Sequence, residues 1–108
     1  MKLELSIKDR LGVSLLLPTV GGFIQQELIH YIKERIRLTP EEIHEYEVHD
    51  SQGGIITWNT QKAKDKIYDF TESEINILKQ GVNLLDKEER ITSDIFLLCK
   101  KIRDLRPQ

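Results

Sequence analysis

The densest gathering of chemically capable side chains lies between Thr39 and Asp50. It holds Glu41, Glu42, Glu45, Glu47 and Asp50 with no Lys or Arg among them, and adds His44 and His49. Acids and histidines this close suggest a divalent metal or a carboxylate pair. A metal needs three or four convergent ligands, and the spacing here is neither HExxH nor any other recognised ligand pattern. Extended backbone would send Glu45, Glu47 and His49 to one face and leave His44 at a helix–strand junction. Glu41 and Glu45 sit one helical turn apart. Acid–base catalysis, however, needs carboxylates in a cleft with separated pKa values, and a turn-rich acidic surface does not provide one. The histidines, including His30 on the polar side of its helix, are expected at the surface. What remains is charge. Five acids without a compensating base either keep the segment soluble and favour a helix N-terminus, or form an acidic patch that docks a basic partner or mimics phosphate.

Other chemistries find fewer residues. Cys99 is the one thiol, and it falls on an apolar helical stripe beside Leu98 and Ile102. Burial there disfavours the thiolate that a nucleophile requires. Ser6, Ser14, Ser51, Ser73 and Ser93 lie at caps, turns or helix interiors, outside any GxSxG turn. Gly21-Gly22 precedes a helix but lacks the GxGxxG pattern or the Lys-Ser/Thr pair that grips phosphate. Catalytic residues, metal and cofactor are therefore all expected to be none, and the protein is expected not to be an enzyme. Bases cluster at Lys62, Lys64 and Lys66, and again at Lys100, Lys101, Arg103 and Arg106. Three short helices followed by a strand hairpin match the order of a winged helix-turn-helix, with the first lysine cluster touching phosphates. The reading helix would then carry Glu41, Glu42 and Glu45, which phosphates repel.

The elements that position these groups follow from caps and periodicity. Ser6 and Asp9 form a helix start, with Ile7, Leu11 and Leu15 behind it and Pro18 as the stop. Leu3, Leu5 and Ile7 also alternate as a strand would, so the first residues suit either element. Phe23 to Leu38 reads as a helix with a stripe of Ile24, Leu28, Ile32 and Ile36, widened by Ile29. Thr39, Pro40 and Glu42 open a short helix. From Glu45 the period becomes two: Tyr46 and Val48, a turn at Asp50–Gly54, then Ile56 and Trp58. Ile67–Phe70 reads as a third strand. These three strands are expected to form one antiparallel meander whose face carries Tyr46, Trp58, Tyr68 and Phe70 under the helices. Thr71 and Glu74 box another helix, with Gly81 inside it explained by a close helix contact. Thr92 or Ser93 caps the last, which buries Ile95, Leu98, Cys99, Ile102 and Leu105. The two should form a C-terminal helical hairpin. The fold class is thus α+β, with helices packed on one face of the meander.

Bulk properties bound the rest. A chain of 108 residues that is 39% hydrophobic and 31% charged suits one domain spanning 1–108. A formal net charge of −2 argues against an obligate nucleic-acid or anionic-membrane protein. One cysteine, no apolar signal region at residues 1–10 and no apolar run longer than the five residues Ile95-Phe96-Leu97-Leu98-Cys99 point to the cytoplasm.

Residues 5–11, Leu16-Leu17-Pro18, Gly22-Phe23, Leu38–Ile43, Glu45–Val48, Ile56–Asn59 and Leu84–Lys87 together make a pattern that runs over most of the chain. On these residues the chain resembles a loosely defined group of small bacteriophage and prophage proteins. These motifs are caps, a turn and a Trp-containing strand. The resemblance implies a phage context, hence a bacterial host cytoplasm, and supplies no site residues. The expected function is that of a small non-enzymatic phage-type accessory protein. It would bind another protein through Glu41, Glu42, Glu45, Glu47 and Asp50, with winged-helix-like nucleic-acid binding as the alternative.

Overall fold

A computed structural model describes residues 1–106 other than Gln52, so the Gln52 position of the expected turn lies outside the described residues. The element order is β1 (Lys2–Leu5), α1 (Ile7–Gly12), a 3₁₀ turn (Val13–Leu16), α2 (Phe23–Ile36), α3 (Pro40–Glu45), β2 (His49–Ser51), β3 (Ile55–Thr57), β4 (Lys66–Asp69), α4 (Glu72–Lys87) and α5 (Phe96–Arg103). All three capping boxes form. Ser6 with Asp9, Thr39 with Glu42, and Thr71 with Glu74 each exchange both reciprocal hydrogen bonds. Each box satisfies backbone N–H groups that the first helical turn leaves without a partner.

The three-stranded meander is overturned. The strands form two separate two-stranded antiparallel sheets, β1 with β4 and β2 with β3. β1 competes for β4 and wins it. Its residues alternate exposed and buried, Leu3 lies opposite Tyr68, and Leu5 lies opposite Lys66. The Phe70 amide then extends the ladder to the Met1 carbonyl at 2.8 Å. This pairing buries Leu3 and Leu5 against α1 and α5, a gain that the exposed hairpin strands could not offer β4. The β2–β3 hairpin is left with all its strand residues exposed. Its turn carries Gly53 and Gly54 at φ of 88° and 77°, a backbone that glycine adopts without steric cost.

The shared aromatic face fails with the meander. Tyr46 and Phe70 are buried, but Trp58 and Tyr68 are only half-buried. Only Tyr68 and Phe70 share a strand and its extension, Tyr46 following α3 and Trp58 following β3. Tyr46 falls in the turn after α3 instead of in a strand. Helix α2 ends at Ile36, two residues before the expected Leu38, and buries Ile29, Ile32 and Ile36 while Ile24 points outward. The last helix starts at Phe96 with Ile95 as its N-cap and no side-chain cap bond, since Thr92 instead accepts the Ile95 amide through its carbonyl.

One core joins these pieces. Leu3, Leu5, Val13, Leu16, Ile32, Ile36, Phe70, Ile75, Leu78, Val82, Leu98 and Ile102 lie in a single buried cluster. The expected pairing of the C-terminal helices α4 and α5 is present. Gly81 has the close neighbour expected of it, though the neighbour is the 3₁₀ turn: a Cβ there would strike the Leu16 carbonyl.

Candidate functional surface

Helix α3 is set in place from its buried side, by Arg10. The Arg10 guanidinium donates Nη1 to Glu42 Oε2 at 2.7 Å and Nη2 to Glu42 Oε1 at 2.9 Å. Its Nε donates to the Ile36 carbonyl at 2.8 Å, and Nη2 also donates to the Arg37 carbonyl at 2.9 Å. One side chain of α1 therefore closes the C-terminus of α2 and holds the first turn of α3. Lys66 adds a 3.0 Å contact to the same carboxylate, and the guanidinium lies 5.5 Å from the Tyr68 ring centre. The hydrogen bond from Arg10 holds the Glu42 carboxyl far below the usual range, against the opposing effect of burial.

Among the five acids nominated for partner contact, Glu42 is thus buried and committed to the fold. The other four are exposed. Glu47 is engaged as well: it accepts from Asn59 Nδ2 at 2.9 Å and from Lys62 Nζ at 3.0 Å, which lower its pKa. Its backbone is left-handed, with φ of 54°. It closes α3 in a Schellman arrangement, with Glu47 N–H bonded to the His44 carbonyl and Val48 N–H to the Ile43 carbonyl. Glu41, Glu45 and Asp50 form no ion pair with the described residues.

A shallow cleft opens where α3, the start of β2 and the loop after β3 meet. It is bordered by Pro40, Ile43, His44, Glu45, Glu47, Val48, His49, Gln61, Lys62 and Lys64. Of the five nominated acids, Glu45 and Glu47 border it, beside Lys62 and Lys64. Parts of the acidic segment and of the lysine loop, read from sequence as rival surfaces, thus share one cleft that Glu41, Glu42 and Asp50 do not line. Lys62 pairs with Glu47 and Lys66 with Glu42, which leaves Lys64 without an acidic partner among the described residues. His44 and His49 both reach the cleft and are exposed, as is His30 elsewhere. No group of three metal-ligating side chains gathers among the described residues. Cys99 is buried in the core, and that burial pushes its thiol pKa up.

Sequence reasoning missed the basic residues that meet the capping boxes. Glu74 takes Arg35 at 2.8 Å, with the guanidinium 5.3 Å from the Phe70 ring centre, and Asp9 takes Lys101 at 2.6 Å. Burial would raise the Glu74 pKa, but the bonds from Arg35 and Thr71 outweigh it and lower it. The available signal was a capping-box acid with a second oxygen to satisfy. Its basic partner comes from a remote element and leaves no local pattern.

No protein-family model, no curated protein and no solved structure matches the chain. No helix among the described residues is long and apolar enough to cross a membrane.

Proposed function

We propose that the chain is a small non-enzymatic accessory protein of the phage type. It acts in the cytoplasm of a bacterial host by binding another protein through the face built from α3, the hairpin and the loop after β3. The observation that carries this reading is the state of its charges. Glu41, Glu45 and Asp50 are exposed and form no ion pair with the described residues. Of the lysines at 62, 64 and 66, Lys62 and Lys66 are paired with Glu47 and Glu42, which leaves Lys64 as one base against three acids. A basic protein surface meets unneutralised carboxylates on this face, which speeds encounter and selects against acidic partners. Nucleic acid meets the same carboxylates with repulsion, and this weighs against the winged-helix alternative.

The test is affinity capture from infected or lysogenic bacterial cells with the wild-type chain and with the E41K/E45K/D50K variant. A protein held by the wild type and lost by the variant is the expected result. A variant that instead gains retention on duplex DNA, while both chains capture the same proteins, places the function elsewhere. Glu42 is left unchanged, because its substitution would disturb the fold.

A further inference from the structure

A different part of the molecule carries its own signal. Residues 11–26 contain no charged side chain, in a chain that is 31% charged overall. This stretch runs from α1 through the 3₁₀ turn and the loop at 17–22 into the first turn of α2. Val13, Leu16 and Leu17 are buried, but four of its large apolar residues face outward: Leu15 is 64% exposed, Val20 82%, Phe23 85% and Ile24 74%, and Leu84 of α4 adds 57%. Two features tie parts of this stretch to α2 and to α4. Gln26 Nε2 donates to the Pro18 carbonyl at 3.4 Å, which folds the loop against α2. Leu15, Pro18 and Leu84 border a single groove.

We propose that this neutral apolar tip is a dimer interface whose occupant is a second copy of the chain. At roughly 100 Å² apiece, the five side chains present about 500 Å² of apolar surface. That reaches the size at which an apolar patch on a monomer usually has a role. Together with the adjoining Pro18, Thr19, Gly21 and Gly22 it approaches the ~800 Å² per partner of a standard interface. Charge selects the occupant. A two-fold contact sets a patch against itself, so any net charge in it would meet its like, and here there is none. Interface centres are also depleted of charge. An anionic bilayer, by contrast, holds peripheral proteins through bases placed beside the apolar residues, and this stretch supplies no base.

Sedimentation equilibrium of the full chain over a wide concentration range tests the assignment. The expected result is a monomer–dimer equilibrium that added salt leaves intact or strengthens. Phe23→Glu and, separately, Val20→Lys should each weaken it about tenfold or more, with the circular dichroism of the wild type retained. A chain that stays monomeric throughout overturns the proposal. So does a dimer that neither variant weakens, or a monomer that co-sediments with phosphatidylglycerol vesicles.

Discussion

The Arg10 guanidinium grips both oxygens of Glu42 at 2.7 and 2.9 Å while donating to the carbonyls of Ile36 and Arg37. It thereby ties the end of α2 to the start of α3 from inside the protein. Removing Arg10 leaves the buried Glu42 carboxylate with the half-exposed Lys66 as its one remaining cation among the described residues. Arg10→Met should therefore cost about 3–5 kcal/mol, measured as a shift in the chemical denaturation midpoint. A loss below about 1 kcal/mol, the range of an exposed pair, would show that the clamp contributes no more than a surface contact.

The same pair makes stability depend on pH. Glu42 titrates lower in the folded protein than its ordinary value near 4.3 in an unfolded chain. Its contribution is then fully present above about pH 4.3, and is lost as pH falls from there toward the folded pKa. Glu42→Gln should be less stable than wild type at neutral pH. The gap between the two should narrow as the solution is acidified below about pH 4. A gap that stays constant across that range would mean that the Glu42 charge is not what Arg10 recognises.

At Gly81 two effects of opposite sign compete. Alanine gains about 1 kcal/mol of helix propensity over glycine, but its methyl group would strike the Leu16 backbone carbonyl. Backbone cannot rotate aside as a side chain can, and overpacking of this kind costs about 1–3 kcal/mol. Gly81→Ala should therefore destabilise the protein and lower its melting temperature. A rise in melting temperature would show that α4 does not approach the 3₁₀ turn this closely.

Glu89 closes α4 with a left-handed φ of 55°, its amide bonded to the Asp86 carbonyl and the Arg90 amide to the Leu85 carbonyl. Its side chain is exposed and takes part in no hydrogen bond or ion pair with the described residues. Glycine suits this position of a Schellman motif because it has no Cβ to crowd the carbonyl. Glu89→Gly relieves about 1–2 kcal/mol of left-handed strain against about 0.4–1 kcal/mol of added unfolded-chain entropy. It should therefore stabilise by about 0.5–1 kcal/mol, read from equilibrium denaturation. Glu47→Gly should gain less, because it also removes the contacts to Asn59 and Lys62.

The contrast between these residues and the sheets shows where sequence reasoning holds. Ser6 with Asp9, Thr39 with Glu42 and Thr71 with Glu74 were legible because a capping box lies within four consecutive residues. The partner of β4 was not. Leu3 meets Tyr68 from the far end of the chain, and the alternation of Leu3, Leu5 and Ile7 fitted a helix start as well as a strand. Trp58 was expected inside on the strength of a meander that β1 dismantles, and it is half-buried beside the hairpin. The acidic segment was visible as composition. That Glu42 points into the protein depended on Arg10, a remote residue with no local signature. The apolar face of α2 was overextended for a related reason: Ile24 has the right spacing, but the first turn of α2 runs past the core.

The central claim is that Glu41, Glu45 and Asp50 steer a basic protein partner. Its most direct test is the association rate of the captured partner with the wild-type chain and with E41K/E45K/D50K, each followed across a range of ionic strength. Surface steering acts mainly on the association rate, and salt screens it. The wild-type rate should fall steeply as salt rises, and the variant should associate more slowly with a flat dependence. Equal rates with the same salt dependence in both chains would contradict the account.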